Sequence, residues 1–237
     1  MTLEATSSRL HTTSTDAIRL VVFGRLMPAT FFAQLGYAQW LRVVGDVRAL
    51  PHPANLLAVI SGPLPAALYL LFCVIPVLIY VGRPAPRMRD GRFLPRAAGL
   101  AGTMGQLVVG ALPQGGRLYS PPSWFGGVSS AISVVAFTLA VYGLLYLKRS
   151  LSIIPEARRL VTTGPYRMVR HPLYAAEILA ACAFVMVNPG ALAVADLAPF
   201  IAIQLVRSRF EERLLTKAYP HYQDYALRTR RLIPFIW

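Results

Sequence analysis

This chain has little acid, almost no lysine and hardly any cysteine. Ten aspartates and glutamates stand against 24 lysines and arginines in 237 residues, and Lys148 and Lys217 are the only lysines. Cys73 and Cys182 both lie in apolar runs with no cysteine or histidine at ligand spacing, so neither a disulfide framework nor a zinc site is expected. His11, His52, His171 and His221 are scattered, and no metal is expected. A soluble Rossmann-like domain, with its glycine-rich turn between strand and helix, finds no support. The formal charge of +14 looks like that of a nucleic-acid binder. Its arginines, however, gather in loops between apolar runs, as expected where basic loops resist translocation, so no nucleic-acid partner is expected.

Apolar residues are abundant: 55% of the chain is hydrophobic and 14% charged, a membrane composition in a length that allows one compact bundle. A first apolar run, Ile18 to Val44, is interrupted by Arg25, Pro28 and Gln34; a second covers Asn55 to Val81. A weaker third, Leu94 to Leu112, carries Gly99, Gly102 and Gly105, a spacing that suits close helix packing. Trp124 to Leu147 is a fourth. About 20 helical residues cross a bilayer, so each of these reads as a span. Tyr174 to Val206 is too long for one helix, and Asn188-Pro189-Gly190 near its middle makes a turn. Two arms of about 15 residues, each roughly 22 Å long, would return to the same side. Arg25 and Asp196 are ionisable groups within apolar runs and therefore candidates for a role of their own.

The expected fold is all-α: a polytopic transmembrane helix bundle of four spans plus a C-terminal helix-turn-helix hairpin. Residues 83–96 hold five arginines against Asp90, and residues 148–170 hold six basic residues against Glu156, whereas 113–123 has Arg117 alone. Both basic loops and both termini are therefore expected in the cytoplasm. The first sixteen residues, polar and rich in Ser and Thr, read as a disordered lead and not as a cleaved signal peptide.

Chemistry-bearing side chains cluster in Leu160-Val161-Thr-Thr-Gly164-Pro165-Tyr166-Arg-Met-Val-Arg170-His171-Pro172-Leu-Tyr174 and in Arg207-Ser-Arg209-Phe-Glu211-Glu212. Pro172 suits the first position of a helix, where a missing N–H costs nothing, and that helix start favours an anion. Tyr174 and Glu177 then share a face, as do Arg207 with Glu211 and Arg209 with Glu212, which read either as surface ion pairs or as parts of a site. The hairpin lays the two segments side by side. Carboxylates there suit a cationic ligand, and Arg207 and Arg209 suit a ligand carboxylate through their planar fork.

These residues, with Asn188-Pro189, Tyr222-x-x-Tyr225 and Pro234, resemble the isoprenylcysteine carboxyl methyltransferases and the related membrane phospholipid methyltransferases over about Ser150 to Pro234. The resemblance implies a methyltransferase core at 150–237, with a cofactor-binding loop, the hairpin and a cytoplasmic C-terminal helix. It follows transmembrane helices at 17–149 and the lead at 1–16. It implies an integral-membrane enzyme that uses S-adenosylmethionine, with a cytoplasmic cofactor site. Leu160, Val161, Tyr166, His171, Pro172, Tyr174, Glu211 and Glu212 would hold the cofactor. Arg207 and Glu211 would be catalytic, with Arg207 meeting the substrate. A shift of one residue would exchange the roles of Glu211 and Glu212. Ala175-Ala176 stands where many members have a glycine, and the acidic run is shorter than in some relatives.

The expected reaction is in-line methyl transfer to a lipophilic acceptor entering from the bilayer, a carboxylate favoured because it is already ionised at neutral pH. That acceptor would be isoprenylcysteine-like or an isoprenoid or lipid acid; an amine or hydroxyl would need a base such as Glu177, Glu211 or Glu212. Arginine-rich, lysine-poor usage points to a bacterial cell membrane. A sterol-reductase-type enzyme using NADPH and a non-catalytic transport or regulatory protein are the competing readings.

Overall fold

The computed structural model describes residues 21–233; the polar lead and Pro234 lie outside the described residues. A π-helical turn, Val22–Leu26, runs straight into α1, Met27–Arg48. The second apolar run is broken at Gly62 into a short α2, Leu56–Ser61, and a long α3, Pro63–Val81. Asn55 caps α2, its Oδ1 accepting from Ala58 N at 2.8 Å, and Pro63 opens α3 where no N–H is needed. Next come α4, Phe93–Ala111, and α5, Phe125–Leu147. Then come α6, Pro172–Val187, α7, Ala191–Ala218, and α8, Tyr222–Arg228. The protein is mostly helical.

By length and composition three of the described helices can cross a membrane: Pro63–Val81, Phe125–Ser150 and Ala191–Ala218. This set differs from four spans plus a hairpin of two equal arms. The turn at Asn188-Pro189-Gly190 forms, but the arms are unequal. Helix α6 has 16 residues and α7 has 28, about 24 and 42 Å at 1.5 Å per residue. The second arm is thus itself long enough to span, and its last turns carry the arginines and glutamates beyond the apolar stretch. Helix α1 carries Gln34, Gln39, Arg42, Asp46 and Arg48, and α4 carries Arg96 and Gln106, which keeps both off the apolar end of the scale.

Helix α1 packs along α3, α5 lies between α3 and α6, and α4 packs against α7, which also meets α6. Aromatic rings fill the α1–α3 seam, with Phe32 stacked on Tyr80 at 6.0 Å and edge-on to Phe72 at 6.4 Å. At one end of the bundle Arg117 pairs with Gly190, so the 113–123 loop meets the hairpin turn. At the other end, a feature absent from the sequence reading appears. The two basic loops join in a small antiparallel ribbon, β1, Met88–Arg89, with β2, Glu156–Ala157. Both basic loops and the end of α7 therefore share one end of the bundle, and the Arg117 loop occupies the opposite one.

That ribbon is held by a buried charge cluster. Glu156 accepts from Arg158 Nη2 at 2.7 Å and Ser152 Oγ at 2.8 Å, pairs with Arg89 Nε at 2.8 Å, and has Arg83 Nη1 3.8 Å away. Arg83 also donates to Leu151 O at 2.9 Å and to Gly24 O, and Arg158 donates to Pro84 O. Charges this deep persist only when paired and hydrogen-bonded. Burial pushes the Glu156 carboxyl up, but Arg158, Ser152 and Arg83 together outweigh it and leave it below the usual carboxylate range. Nearby, the Arg92 hydrogen bond holds Asp90 down to about 2. The glycines of α4 make room for this region. A Cβ on Gly99 would meet Ile153 O at 2.5 Å, and one on Gly102 would stand 2.8 Å from Arg207 Nη1.

Two outcomes follow for stability. Glu156→Gln leaves three arginines without their shared anion and is expected to cost about 3 kcal/mol, measured by thermal unfolding in detergent. Because both carboxyls are depressed in the folded state, their contribution is complete above their ordinary values of 4.5 and 3.8. It is lost as pH falls through the folded values. The melting temperature should therefore hold from pH 8 to 5 and drop below about 4.5. A midpoint unchanged down to pH 3 would contradict the cluster's contribution.

Candidate active site

The basic end of the bundle holds a cavity of about 140 Å³ that opens to the outside. Its walls come from the 150–161 loop, the 3₁₀ turn Gly164–Arg167, the start of α6 and the far half of α7, with an apolar side from Phe32, Phe72 and Leu144. Gly164 takes a positive φ of 61°, and a Cβ there would strike the Tyr146 ring, so this position requires glycine. Pro172 occupies the first position of α6, as the spacing predicts.

Arg207, buried at 3% exposure, lies with its guanidinium 4.5 Å above the Tyr174 ring. Tyr174 OH donates to Glu211 Oε1, and His171 stacks on Tyr174 with centroids 5.3 Å apart. His171 Nε2 and Glu212 Oε1 share a hydrogen bond of 3.1 Å, and Nδ1 is 3.8 Å from Glu211 Oε2. Tyr225 OH donates to Tyr166 O at 2.7 Å, anchoring the 3₁₀ turn to α8. Burial raises the Tyr166 phenol well above its ordinary range, keeping it a neutral ring in the wall.

Most of the sequence-predicted residues meet here. Leu160, Val161, Tyr166, His171, Pro172, Tyr174, Arg207 and Glu211 all line the cavity. Glu212 and Arg209 do not. Glu212 turns the other way and accepts from Arg170 Nε at 2.8 Å and from Arg231 Nη2 at 2.6 Å, in addition to His171. Arg209 is exposed and borders a separate groove with Glu212, Arg213 and Tyr222. The ion pairs that the spacing along α7 allows give way to others. Among the described residues, Arg207 pairs with Glu177 of α6 at 3.6 Å, and Glu212 pairs with Arg170 and Arg231. Contacts across the hairpin outcompete those along one helix because they also satisfy buried groups that water cannot reach.

Two features escaped the sequence. Gln204, with 0% exposure, links Arg207 and Glu177; its signal was a polar residue one turn before Arg207 in an apolar run. The pairing of the C-terminal segment was the other: Arg170 N and His171 N donate to Arg230 O and Arg231 O at 2.7 and 3.0 Å, beside a bridge between Val169 and Arg230. Asp196 pairs with Gln106 Nε2 at 2.5 Å across α4 and α7, away from the cavity. No cluster of three or more potential metal ligands occurs among the described residues.

Residues 123–222 match the phospholipid methyltransferase family. That segment runs from the start of α5 to the start of α8. It carries every sequence-predicted site residue, while Phe32, Phe72 and Pro76 of the apolar wall lie outside it. Two relatives are known by name. The nickel-cobalt-cadmium resistance protein NccN of Alcaligenes xylosoxydans xylosoxydans is 30% identical over 115 residues, 47% of this chain and 53% of that protein. The cobalt-zinc-cadmium resistance protein CzcN of Cupriavidus metallidurans is 29% identical over 113 residues, 47% of this chain and 52% of its own. The chain thus spans about half the length of these relatives.

The Glu212 cluster makes its own prediction. Glu212→Ala removes the anion that Arg170 and Arg231 share and loosens the C-terminal segment. Trypsin cleavage at Arg228, Arg230 and Arg231 in detergent should then accelerate on the order of tenfold, as a local opening replaces a paired one. Cleavage at the wild-type rate would show that the segment is held by its backbone bonds alone.

Proposed function

We propose that the protein is an integral-membrane methyltransferase that moves a methyl group from S-adenosylmethionine to a lipophilic acceptor, a carboxylate favoured. The observation that carries this reading is one shared cavity. Within the segment matching the phospholipid methyltransferases, Arg207, Glu211, Tyr174 and His171 converge on a space that also has an apolar wall.

The cavity's donor set fits the cofactor. Glu211 offers a carboxylate to a sulfonium or ammonium group, and Tyr166 and Tyr174 offer aromatic rings to a base. Arg158 borders the space with a buried Nε that has no partner, a donor for a carboxylate. When bound, the cofactor supplies an activated methyl group. The protein's part is then to position and to exclude water, which holds the reacting groups in one geometry before the step. Arg207 Nε is likewise buried without a partner, which supports a role in orienting an acceptor anion. Glu211 receives the Tyr174 hydroxyl and holds that ring against Arg207. Phe32, Phe72 and Leu144 give the acceptor's apolar body a surface.

The two basic loops and the end of α7 lie at one end of the bundle, so loop charge favours that end as the cytoplasmic one. A cytoplasmic mouth suits a water-soluble cofactor, and the bilayer suits the acceptor.

Calorimetric titration of the detergent-purified protein with S-adenosylmethionine and S-adenosylhomocysteine tests the reading. Saturable binding of both is expected, weakened at least about tenfold, or about 1.4 kcal/mol, by Glu211→Gln. Absence of binding to folded protein, or binding of NADPH instead, would overturn it.

A further inference from the structure

Arg207 stands near two carboxylates, and Gln204 governs how it meets one of them. Gln204 sits on α7 one turn before Arg207 and has no exposed surface. Its Oε1 accepts from Arg207 Nη1 at 2.8 Å, and its Nε2 donates to Glu177 Oε2 while lying 3.5 Å from Gly102 O. Each half of the amide thus has a partner it alone can serve: the carbonyl faces a guanidinium, and the NH2 faces a carboxylate and a carbonyl. Helices α4, α6 and α7 meet at this one side chain.

The separation it maintains is informative. Arg207 Nη1 is 3.6 Å from Glu177 Oε2, inside Coulomb range but short of a charge-assisted hydrogen bond of about 2.8 Å. A guanidinium and a carboxylate in a low-dielectric site attract strongly and would close into a bidentate pair if nothing stood between them. Closure would draw Arg207 toward α6 and off the Tyr174 ring, which it covers at 4.5 Å. It would also neutralise a guanidinium whose Nε has no partner in the protein.

We propose that Gln204 is a positioning residue: a neutral spacer that keeps Glu177 from capturing Arg207 and holds the guanidinium over Tyr174 for the acceptor. Its catalytic consequence rests on the methyltransferase reading; the spacing itself does not. Gly102 belongs to the same device, since a side chain there would fill the space that the Arg207 stem occupies. Glu177 keeps its own hydrogen bond through the amide, so the charge is satisfied without being spent on Arg207.

The test compares Gln204→Met, which keeps the volume and removes both hydrogen bonds, with Glu177→Gln and the double variant. Gln204→Asn, one methylene shorter, replaces Gln204→Met if that protein does not fold. Initial rates use methyl-tritiated S-adenosylmethionine with a total lipid extract of the expression host as acceptor. Gln204→Met should lower kcat at least about tenfold with KM and Kd for S-adenosylmethionine within about twofold, because the defect lies at Arg207 and not in cofactor binding. Adding Glu177→Gln removes the capturing charge and should restore much of kcat. Without any ligand, Gln204→Met should lower Tm by about 4 °C, and Glu177→Gln should cost more Tm in that background than in the wild type, since it then breaks the closed Arg207–Glu177 pair.

Unchanged kcat in folded Gln204→Met, a parallel loss of cofactor affinity, or additive losses in the double variant would overturn the proposal. Wild-type protein that binds no S-adenosylmethionine would sink the methyltransferase reading instead. The ligand-free Tm comparison would then still decide whether Gln204 separates Glu177 from Arg207.

Discussion

The carboxylate of Glu212 ties together the segments on which the candidate site depends. It accepts from Arg170 at the end of the 3₁₀ loop and from Arg231 of the C-terminal segment and shares a hydrogen bond with His171 at the mouth of α6, while itself belonging to α7. Three stretches of chain, at 170–171, 212 and 231, thus converge on two oxygen atoms. Charge-assisted bonds to a half-buried anion are the strong kind, and losing the anion would leave three donors facing each other. Glu211 precedes it by one residue, which on a helix is a rotation of about 100°. That rotation separates the two acids. Glu212 faces the latch, and Glu211 faces Tyr174 and the cavity.

The second constraint is the burial of Arg207. An arginine at 3% exposure in an apolar bundle requires partners, and α4, α6 and α7 surround all of it but an unpaired Nε. Gly102 leaves the stem its space, Tyr174 takes the guanidinium face, and Gln204 and Glu177 share one nitrogen. The three-residue glycine interval read as close helix packing is used here in two different ways. Gly99 admits the 153–154 backbone and Gly102 admits a charged side chain, while nothing approaches Gly105 within 4 Å.

The distinction between the two ends of the bundle follows from loop chemistry and is built into the fold by pairing. Five arginines in one loop and six basic residues in another would repel if brought together unaided. Glu156 lets them meet: it binds Arg89, Arg158 and Ser152 and so permits β1 to pair with β2. A lone acid among many cations is easily read as a minor feature of a basic loop. Its burial makes it the neutralising centre.

Much was legible in advance because the signals were local. Apolar runs mark α3 and α5, Asn188-Pro189-Gly190 marks the turn before α7, and Pro172 marks the first residue of α6; each follows from backbone chemistry within a few residues. The motif residues also announced themselves by type, since aromatic, basic and acidic groups have little reason to gather in an apolar chain. What the sequence alone determined, then, is a helical membrane chain with a hairpin that brings Tyr174 beside Arg207. Only the tertiary structure decided partners: that Arg207 meets Glu177 and Gln204 in place of Glu211, that Glu212 latches the C-terminal segment, that Arg209 stays outside, and that α7 is nearly twice as long as α6. The physical reason is that pairing between charges depends on which neighbours exclude water, and that is a property of the packed bundle, set by residues up to a hundred positions apart in the chain.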